Sequence, residues 1–372
     1  MILADLGARV IKVEHPGRGD DTRHWGPPFV GTESAYFLSI NRNKESVTLD
    51  FKDPAGRAIL DQLAARADVF VENFRPGTLD RAGFGWEAVH ARFPQLVYAS
   101  ISGYGQTGPR REEGGYDAVM QAEGGLMSIT GEPDRPGYRV GVAITDMVAG
   151  LYAAQGVMAA LLARAKTGRG QFVDIGMLDT TAALLTYQAA NWFTTGAVPQ
   201  RIGNRHATIA PYETFTTKDG DIVVAVGNDD IWRRFCPAIG VPELASDPRF
   251  STNRDRMANY DDMRPPIDRA FRTKTSAEWV AILNAAGVAN GEVRHIGQML
   301  TDPQLVARDM IVTLMHPTAG ATRVIGSPIK LSDTPPSLRT PPPTLGQHTG
   351  TILEELGYSP DRIAALRAAR VI

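Results

Sequence analysis

The sequence predicts an α/β protein in which a large parallel-sheet domain is accompanied by a smaller α+β domain. Three observations carry that expectation. Strand-like and helix-like segments alternate from Arg9 to Ser102, the pattern of a parallel sheet covered by helices on both faces. A long apolar helix beginning at Asp146 then leads through a turn into a further strand and helix near Asp179. Past Gly196 the alternation stops, and an adjacent pair of strands precedes a run of helices.

Taken in order, MILADLG reads as a short helical piece running through Gly7 into a strand, Arg9 to Glu14. In an alternating α/β protein a strand normally precedes such a helix, so the pattern raises the expectation of a strand ahead of Met1. Ser46 to Asp50 reads as a strand, Pro54 to Arg66 as a helix started by Asp53, and Val69 to Glu72 as a buried strand. Short helices follow at Leu79 to Ala82 and Ala88 to Phe93, then a strand at Leu96 to Ser102. Tyr212 to Val226 reads as a hairpin turning at Lys218-Asp219-Gly220. Helices are expected at Ile231 to Ile239, Met263 to Phe271 and Ser276 to Ala286. Two strand-like runs start near Ile311, Pro335 to Pro343 reads as an extended surface segment, and a helix is expected at Thr349 to Leu356.

Asp146 to Asp179 is the most informative stretch. From Met147 to Ala163 only Gln155 is strongly polar, which places the helix inside the protein with a carboxylate at its amino end. Arg164, Lys166 and Gly168 supply the cations and glycine of a helix end. The plain reading of Asp146 is a helix cap; a carboxylate held there also has a chemical use.

Composition narrows the function classes. With 43% hydrophobic and 22% charged residues and a formal charge of -2, no global field favours nucleic acid or an acidic membrane. The single cysteine, Cys236, rules out an internal disulfide and a cysteine-based zinc site and suits a reducing compartment. The reading expects no bilayer-spanning run, no secretory signal and a cytoplasmic home. His24, His90, His295, His316 and His348 show no metal-ligand spacing. Gly103-Tyr104-Gly105-Gln106-Thr107-Gly108 has dinucleotide-fingerprint spacing, but Pro109 and the polar run to Gly115 stand where a helix should begin. Without a helix amino end there is nothing to hold a pyrophosphate, so a glycine-rich loop is expected.

Several segments together resemble one family. VIKVEHPGRGD (Val10 to Asp20), NRNKESVTLDFKD (Asn41 to Asp53), VENFRPGTLDRAGFGW (Val71 to Trp86), SGYGQTGP (Ser102 to Pro109), the Asp146 segment and KTGRGQ (Lys166 to Gln171) are similar, in order and spacing, to family III CoA-transferases. RIGNRHATIAPYETFTTKDG (Arg201 to Gly220) and PPPTLGQHT (Pro341 to Thr349) resemble its succinyl-CoA:dicarboxylate branch, of glutarate type. The resemblance implies a Rossmann-like large domain interrupted by a small one, and a homodimer of interlocked rings. It sets a large CoA-binding domain at 1–196, a small domain at 205–310 and a segment returning to the large domain at 311–372. It also implies about twenty residues ahead of Met1, with a first strand and a loop that touches CoA.

Within that resemblance Asp146 holds the place of the nucleophile, which exchanges CoA between two acids without a cofactor. CoA binding falls at His15, Leu49 to Lys52, Asn73, Phe74, Arg75, Arg81 and Tyr116, with Lys52, Arg75 and Arg81 as phosphate partners and Leu49 and Phe74 as apolar contacts. Each cation taken singly reads equally well as a solvated surface charge. Gln121 would face the acyl group, or be ordinary helix polarity. Gly114, Gly115, Gly124 and Gly125 would offer NH groups to an oxyanion, or serve turns. Arg201, Asn204 and His206 would contact a distal carboxylate, His206 otherwise being structural. The expected partners are acyl-CoA and a carboxylic acid. Two alternatives stay open: a 2-methylacyl-CoA racemase, disfavoured because Tyr116 stands where racemases of this family have histidine, and a non-catalytic acyl-CoA-binding protein.

Overall fold

The computed structural model describes residues 1–372. The chain forms two compact units: 1–120, 143–184 and 300–372 make the larger, and 121–142 with 185–299 the smaller. This division differs from the ranges expected from the sequence, because residues 121–142 and 185–196 go with the smaller unit and 300–310 with the larger. Gly203 donates its N–H to the Gly131 carbonyl at 3.0 Å and Arg201 Nε donates to the Glu132 carbonyl at 3.3 Å. Pairing across some 70 residues leaves no local signal to read.

In the larger unit, strands β1 (Val10–Glu14) and β2 (Lys44–Thr48) pair in parallel, Val10 opposite Lys44. Strands β3 (Val69–Glu72), β4 (Val97–Ser102) and β5 (Phe172–Gly176) form a second parallel sheet in that order. The expected parallel architecture is therefore present in two pieces, in which β1, β2, β3 and β5 each have a strand partner on one side only. Burial follows the pairing: β4, bonded on both sides, is buried at five of its six positions, whereas Val71 in β3 is 55% exposed.

Helix α1 (Pro54–Arg66) shows how local chemistry fixes an element. The Asp53 carboxylate accepts from Ala55 N at 2.7 Å, and Pro54 fills the first turn, where its missing N–H costs nothing. Ile59, Leu60 and Ala64 then recur on one face and enter a core shared with Val47, Leu79 and Phe84, each large side chain gaining roughly 1.5–3 kcal/mol by burial. Ile352, Leu353, Ile363 and Leu366 from the end of the chain complete this core. There Thr48 N donates to Thr349 Oγ1 at 3.0 Å and Ser46 N to His348 Nδ1 at 3.1 Å, closing the outer edge of β2.

Between β4 and the next helices runs the glycine-rich loop, and residues 103–116 contain no helix, in line with its sequence reading. Gly103 and Gly115 meet backbone to backbone: a Cβ on Gly103 would lie 2.8 Å from Gly115 atoms, so neither position admits a side chain. Helix α2 (Asp117–Glu123) follows, then α3 (Ile144–Thr167). Helix α3 ends at Gly168, whose φ of 71° lets its N–H reach the Arg164 carbonyl at 2.8 Å.

Helix α3 corrects two expectations. Its Val148, Ala149, Ala153, Val157 and Ala160 are buried, but Met147, Leu151, Met158 and Leu162, at helical spacing, form an exposed stripe, Leu162 at 71%. The helix is apolar all round yet covered on one side only. At 24 residues, with a mean hydropathy of 1.4 over 18 of them, it is also long and apolar enough to cross a bilayer by those criteria alone, contrary to the expected absence of such a run. It packs on β4, β5 and helix α4 (Met177–Leu184) as a core helix of the larger unit does.

The smaller unit carries the expected hairpin, β6 (Tyr212–Thr216) and β7 (Asp221–Ala225), with a third antiparallel strand, β8 (Ala289–Glu292), on β7. The sequence reading missed β8, whose ANGE offers neither alternation nor β-branched residues. Helices Asp229–Ala238, Tyr260–Phe271 and Ser276–Ala285 pack on the sheet around Phe215, Trp232, Phe235, Phe271 and Trp279.

Candidate functional site

Asp146 is the third residue of α3, and it does not cap the helix. Ala143 precedes the first turn without a side-chain bond. The cap comes from Asp117, whose Oδ1 accepts from Thr145 N at 3.0 Å and from Thr145 Oγ1 at 2.8 Å. It thereby satisfies a donor that the helix start leaves open. Asp146 makes no hydrogen bond or ion pair within the chain, and its side chain is exposed in the isolated protomer. Its pKa is nonetheless pushed up to about 6, first by loss of surrounding water and second by the Asp117 charge. The two observations fit a carboxylate open on one side and hemmed in by protein on the others. The helix amino end was expected to keep it ionised; burial opposes that pull, and a pKa of about 6 still leaves roughly nine-tenths ionised at pH 7.

Tyr36 stands near the same carboxylates: after burial, the charges of Asp146 and Asp117 are what raise its phenol pKa. Its ring meets Trp25 edge-on at 4.9 Å, and both rings are more than one-third exposed. Sequence reasoning missed Asp117 and Tyr36 as neighbours of Asp146, and Trp25 as the ring against Tyr36. For Asp117 one signal existed, a carboxylate opening a short helix just after Gly114-Gly115; the aromatic pair had none.

The residues expected to bind CoA gather at the carboxyl ends of the parallel strands, where α/β sheets place ligands. His15 follows β1, and Leu49 beside it donates its N–H to the Glu14 carbonyl at 2.8 Å. The segment after β2 meets the segment after β3 through Phe51 and Phe74, ring centroids 6.1 Å apart. Asn73 donates to the Ile101 carbonyl at 3.3 Å, and the Arg75 guanidinium lies against Gly114. Lys52, Arg75 and Arg81 are exposed and form no ion pair, so all three charges are open to an anion. Phe74 and Tyr116 are exposed at 44% and 71%. Leu49 is corrected: at 1% exposure it belongs to the core with Val47 and Ile59, and only its backbone can face a ligand.

In the smaller unit the expected substrate residues separate. Gln121 is wholly buried, with Oε1 accepting from Val140 N at 2.7 Å and Nε2 donating to the Val142 carbonyl at 3.4 Å. That amide holds the segment leading toward α3. His206 is stacked between Tyr187 and Tyr212, centroids 5.3 and 5.2 Å away, and its Nδ1 accepts from Thr208 N at 3.1 Å. The ring is thus fixed with Nδ1 unprotonated. Asn204 lines a cavity of about 330 Å³ together with Arg205, Glu132, Glu213, Tyr260 and Arg264. Arg201 does not line it.

Over residues 1–349 the chain matches the family described as CoA-transferase family III. The chain belongs to that family. This family III CoA-transferase is 43% identical over 373 residues to succinyl-CoA:glutarate CoA-transferase of Homo sapiens, covering all of this chain and 85% of that one. It is 43% identical over 332 residues to acetyl-CoA:oxalate CoA-transferase of Acetobacter aceti, covering 89% and 84%. Among solved structures, a CAIB/BAIF family protein from Brucella suis superposes with a TM-score of 0.85 at 40% identity, covering 95% of this chain and 93% of that one. The CoA-transferase therefore carries its open cations and its unbonded Asp146 within the fold of its relatives.

Proposed function

We propose that the protein moves CoA from succinyl-CoA or a similar acyl-CoA to a short dicarboxylic acid, with Asp146 as nucleophile. The observation that carries this reading is a carboxylate with no partner in the chain, open on one side, largely ionised at neutral pH and set in the first turn of a long helix. Asp146 attacks the thioester carbonyl and expels CoA thiolate, giving a mixed anhydride. The thiolate then attacks the Asp146 carbonyl, releasing the donor acid and leaving an aspartyl-CoA thioester. The acceptor carboxylate displaces the thiolate to form a second anhydride, and the returning thiolate takes the acceptor acyl group and restores Asp146. No atom is lost, and neither water nor a redox step is needed. Lys52, Arg75 and Arg81 hold the phosphates of CoA, and Phe74 gives it an apolar surface. The relatives support a dicarboxylate: glutarate for one and oxalate for the other.

The assembly belongs to the same proposal. The exposed stripe of α3, with Trp192 and Phe193 at 48% and 76% exposure in helix α5 (Thr186–Thr195), suits burial against a second copy in a homodimer of interlocked rings. The deciding experiment mixes the protein with succinyl-CoA and glutarate, follows glutaryl-CoA, and traps the enzyme thioester with borohydride or hydroxylamine. The peptide containing Asp146 is expected to carry the modification; an unmodified Asp146 during turnover refutes the mechanism.

A further inference from the structure

The cavity of the smaller unit holds two arginines that are used differently. Arg264 is spent on structure: Nη1 pairs with Glu213, Nε reaches both Asp268 oxygens at 3.0 Å, and Nη2 donates to the Thr214 carbonyl at 3.1 Å. Arg205 has no carboxylate partner anywhere in the chain. Its guanidinium lies 4.3 Å from the centre of the Tyr260 ring, and its Nε is buried without an acceptor. The aromatic face offsets only part of the cost of removing a cation from water. A half-buried guanidinium held at an aromatic ring and lining a cavity of about 330 Å³ is an arrangement that accepts a planar two-oxygen anion.

We infer that this cavity receives a carboxylate group of the acid substrate, with Arg205 as its charge partner and the Asn204 amide as a second donor. The inference rests on the proposed use of dicarboxylic acids and assigns them a residue. It replaces Arg201, whose Nε is taken by the Glu132 carbonyl. The ligand class follows from the walls. The volume suits a diacid of fewer than about ten heavy atoms. Glu132 and Glu213 on the same walls oppose a doubly charged phosphate more than a single carboxylate. Neither arginine neighbours a second free cation of the cavity, so one carboxylate is all that it can neutralise.

The test compares wild type, Arg205→Gln and Arg205→Lys, with succinyl-CoA held saturating for each variant as donor and glutarate or pentanoate as acceptor. For Arg205→Gln the KM for glutarate should rise about 10- to 100-fold with kcat changed less than roughly threefold, while pentanoate kinetics stay within about threefold. Arg205→Lys should recover part of the glutarate KM, since it keeps the charge and loses the fork. Equal losses on both acids, or none on either, overturn the inference. Equilibrium binding of labelled glutarate separates it from the functional reading. If wild type transfers no CoA but binds glutarate, and Arg205→Gln or Arg205→Lys weakens that binding, the transferase reading fails and the carboxylate site stands. Equal binding by wild type and both variants, or no binding by wild type, overturns the site.

Discussion

The smaller unit and helix α3 of the larger one are both rich in apolar side chains, and they end in opposite states. In the smaller unit Trp232, Phe235, Phe250, Phe271 and Trp279 are all at most 2% exposed and share one core. Even Arg256, fully buried there, is satisfied by the Ala210 and Phe250 carbonyls and by Asp229. Helix α3 buries its alanine and valine face and leaves Met147, Leu151, Met158 and Leu162 in the open. The sheet and helices of residues 212–288 close a core of their own, whereas α3, like α5, keeps an apolar face uncovered within the protomer. Asp146 stands in the first turn of that half-covered helix.

The strongest way to sharpen this contrast is Asp146→Asn. Transfer should fall by about 10⁴-fold or more while the melting temperature is unchanged or higher. The sign follows from linkage. A folded pKa of about 6 lies above the ordinary 3.8, so the stability given by the protonated carboxyl is present below pH 4 and lost as pH rises through 6. At pH 7 the ionised group therefore disfavours the fold, and a neutral amide removes that cost. A drop in melting temperature with activity retained would break the comparison. In the smaller unit Trp279→Ala should cost about 3–5 kcal/mol in urea unfolding, because a filled core cannot collapse around the gap; a cost below about 1 kcal/mol would show the core to be loose.

Asp117 tests the boundary between the two behaviours. Asp117→Ala removes the bonds to Thr145 and should cost about 1–2 kcal/mol, read by thermal or urea unfolding. Asp117→Asn keeps an acceptor oxygen but removes the charge that helps raise Asp146. The acid limb of kcat/KM, expected near pH 6 in wild type, should then move to lower pH, since an ionised nucleophile becomes easier to form. A limb that stays put, or moves up, contradicts the coupling. The smallest effect on the fold belongs to Leu162→Glu. Unfolding of the protomer should change by no more than about 0.5 kcal/mol, whereas light scattering should show the proposed dimer weakened. An unchanged dimer would leave the α3 stripe without its proposed role.

What could be read from the sequence divides along the same physical line. Helix α1, its Asp53 cap, the hairpin at Lys218-Asp219-Gly220 and the glycine end of α3 are settled by neighbours a few residues away, and the sequence displays them. The gathering of Lys52, Phe74 and Arg75 at the strand ends follows from a resemblance over the whole chain, since their separations carry no period. Asp117 capping Thr145 from 28 residues away, Gln121 bonded to Val140, and residues 121–142 joining the smaller unit are products of tertiary pairing. Apolar periodicity announced α3 but not which face is covered, because the pattern records what a helix can bury and not what lies beside it. Arg201 and Arg205 look equally cationic in the sequence; only the Glu132 carbonyl and the Tyr260 ring distinguish them.

The outer edge of β2 is closed by residues synthesised some 300 positions later: His348 Nδ1 and Thr349 Oγ1 take the Ser46 and Thr48 N–H groups, and the Val371 carbonyl takes that of Asp50. On the ribosome the β1–β2 pair must therefore wait, edge bare, until residues 348 to 371 have emerged. Such an edge is a template for pairing with other nascent chains.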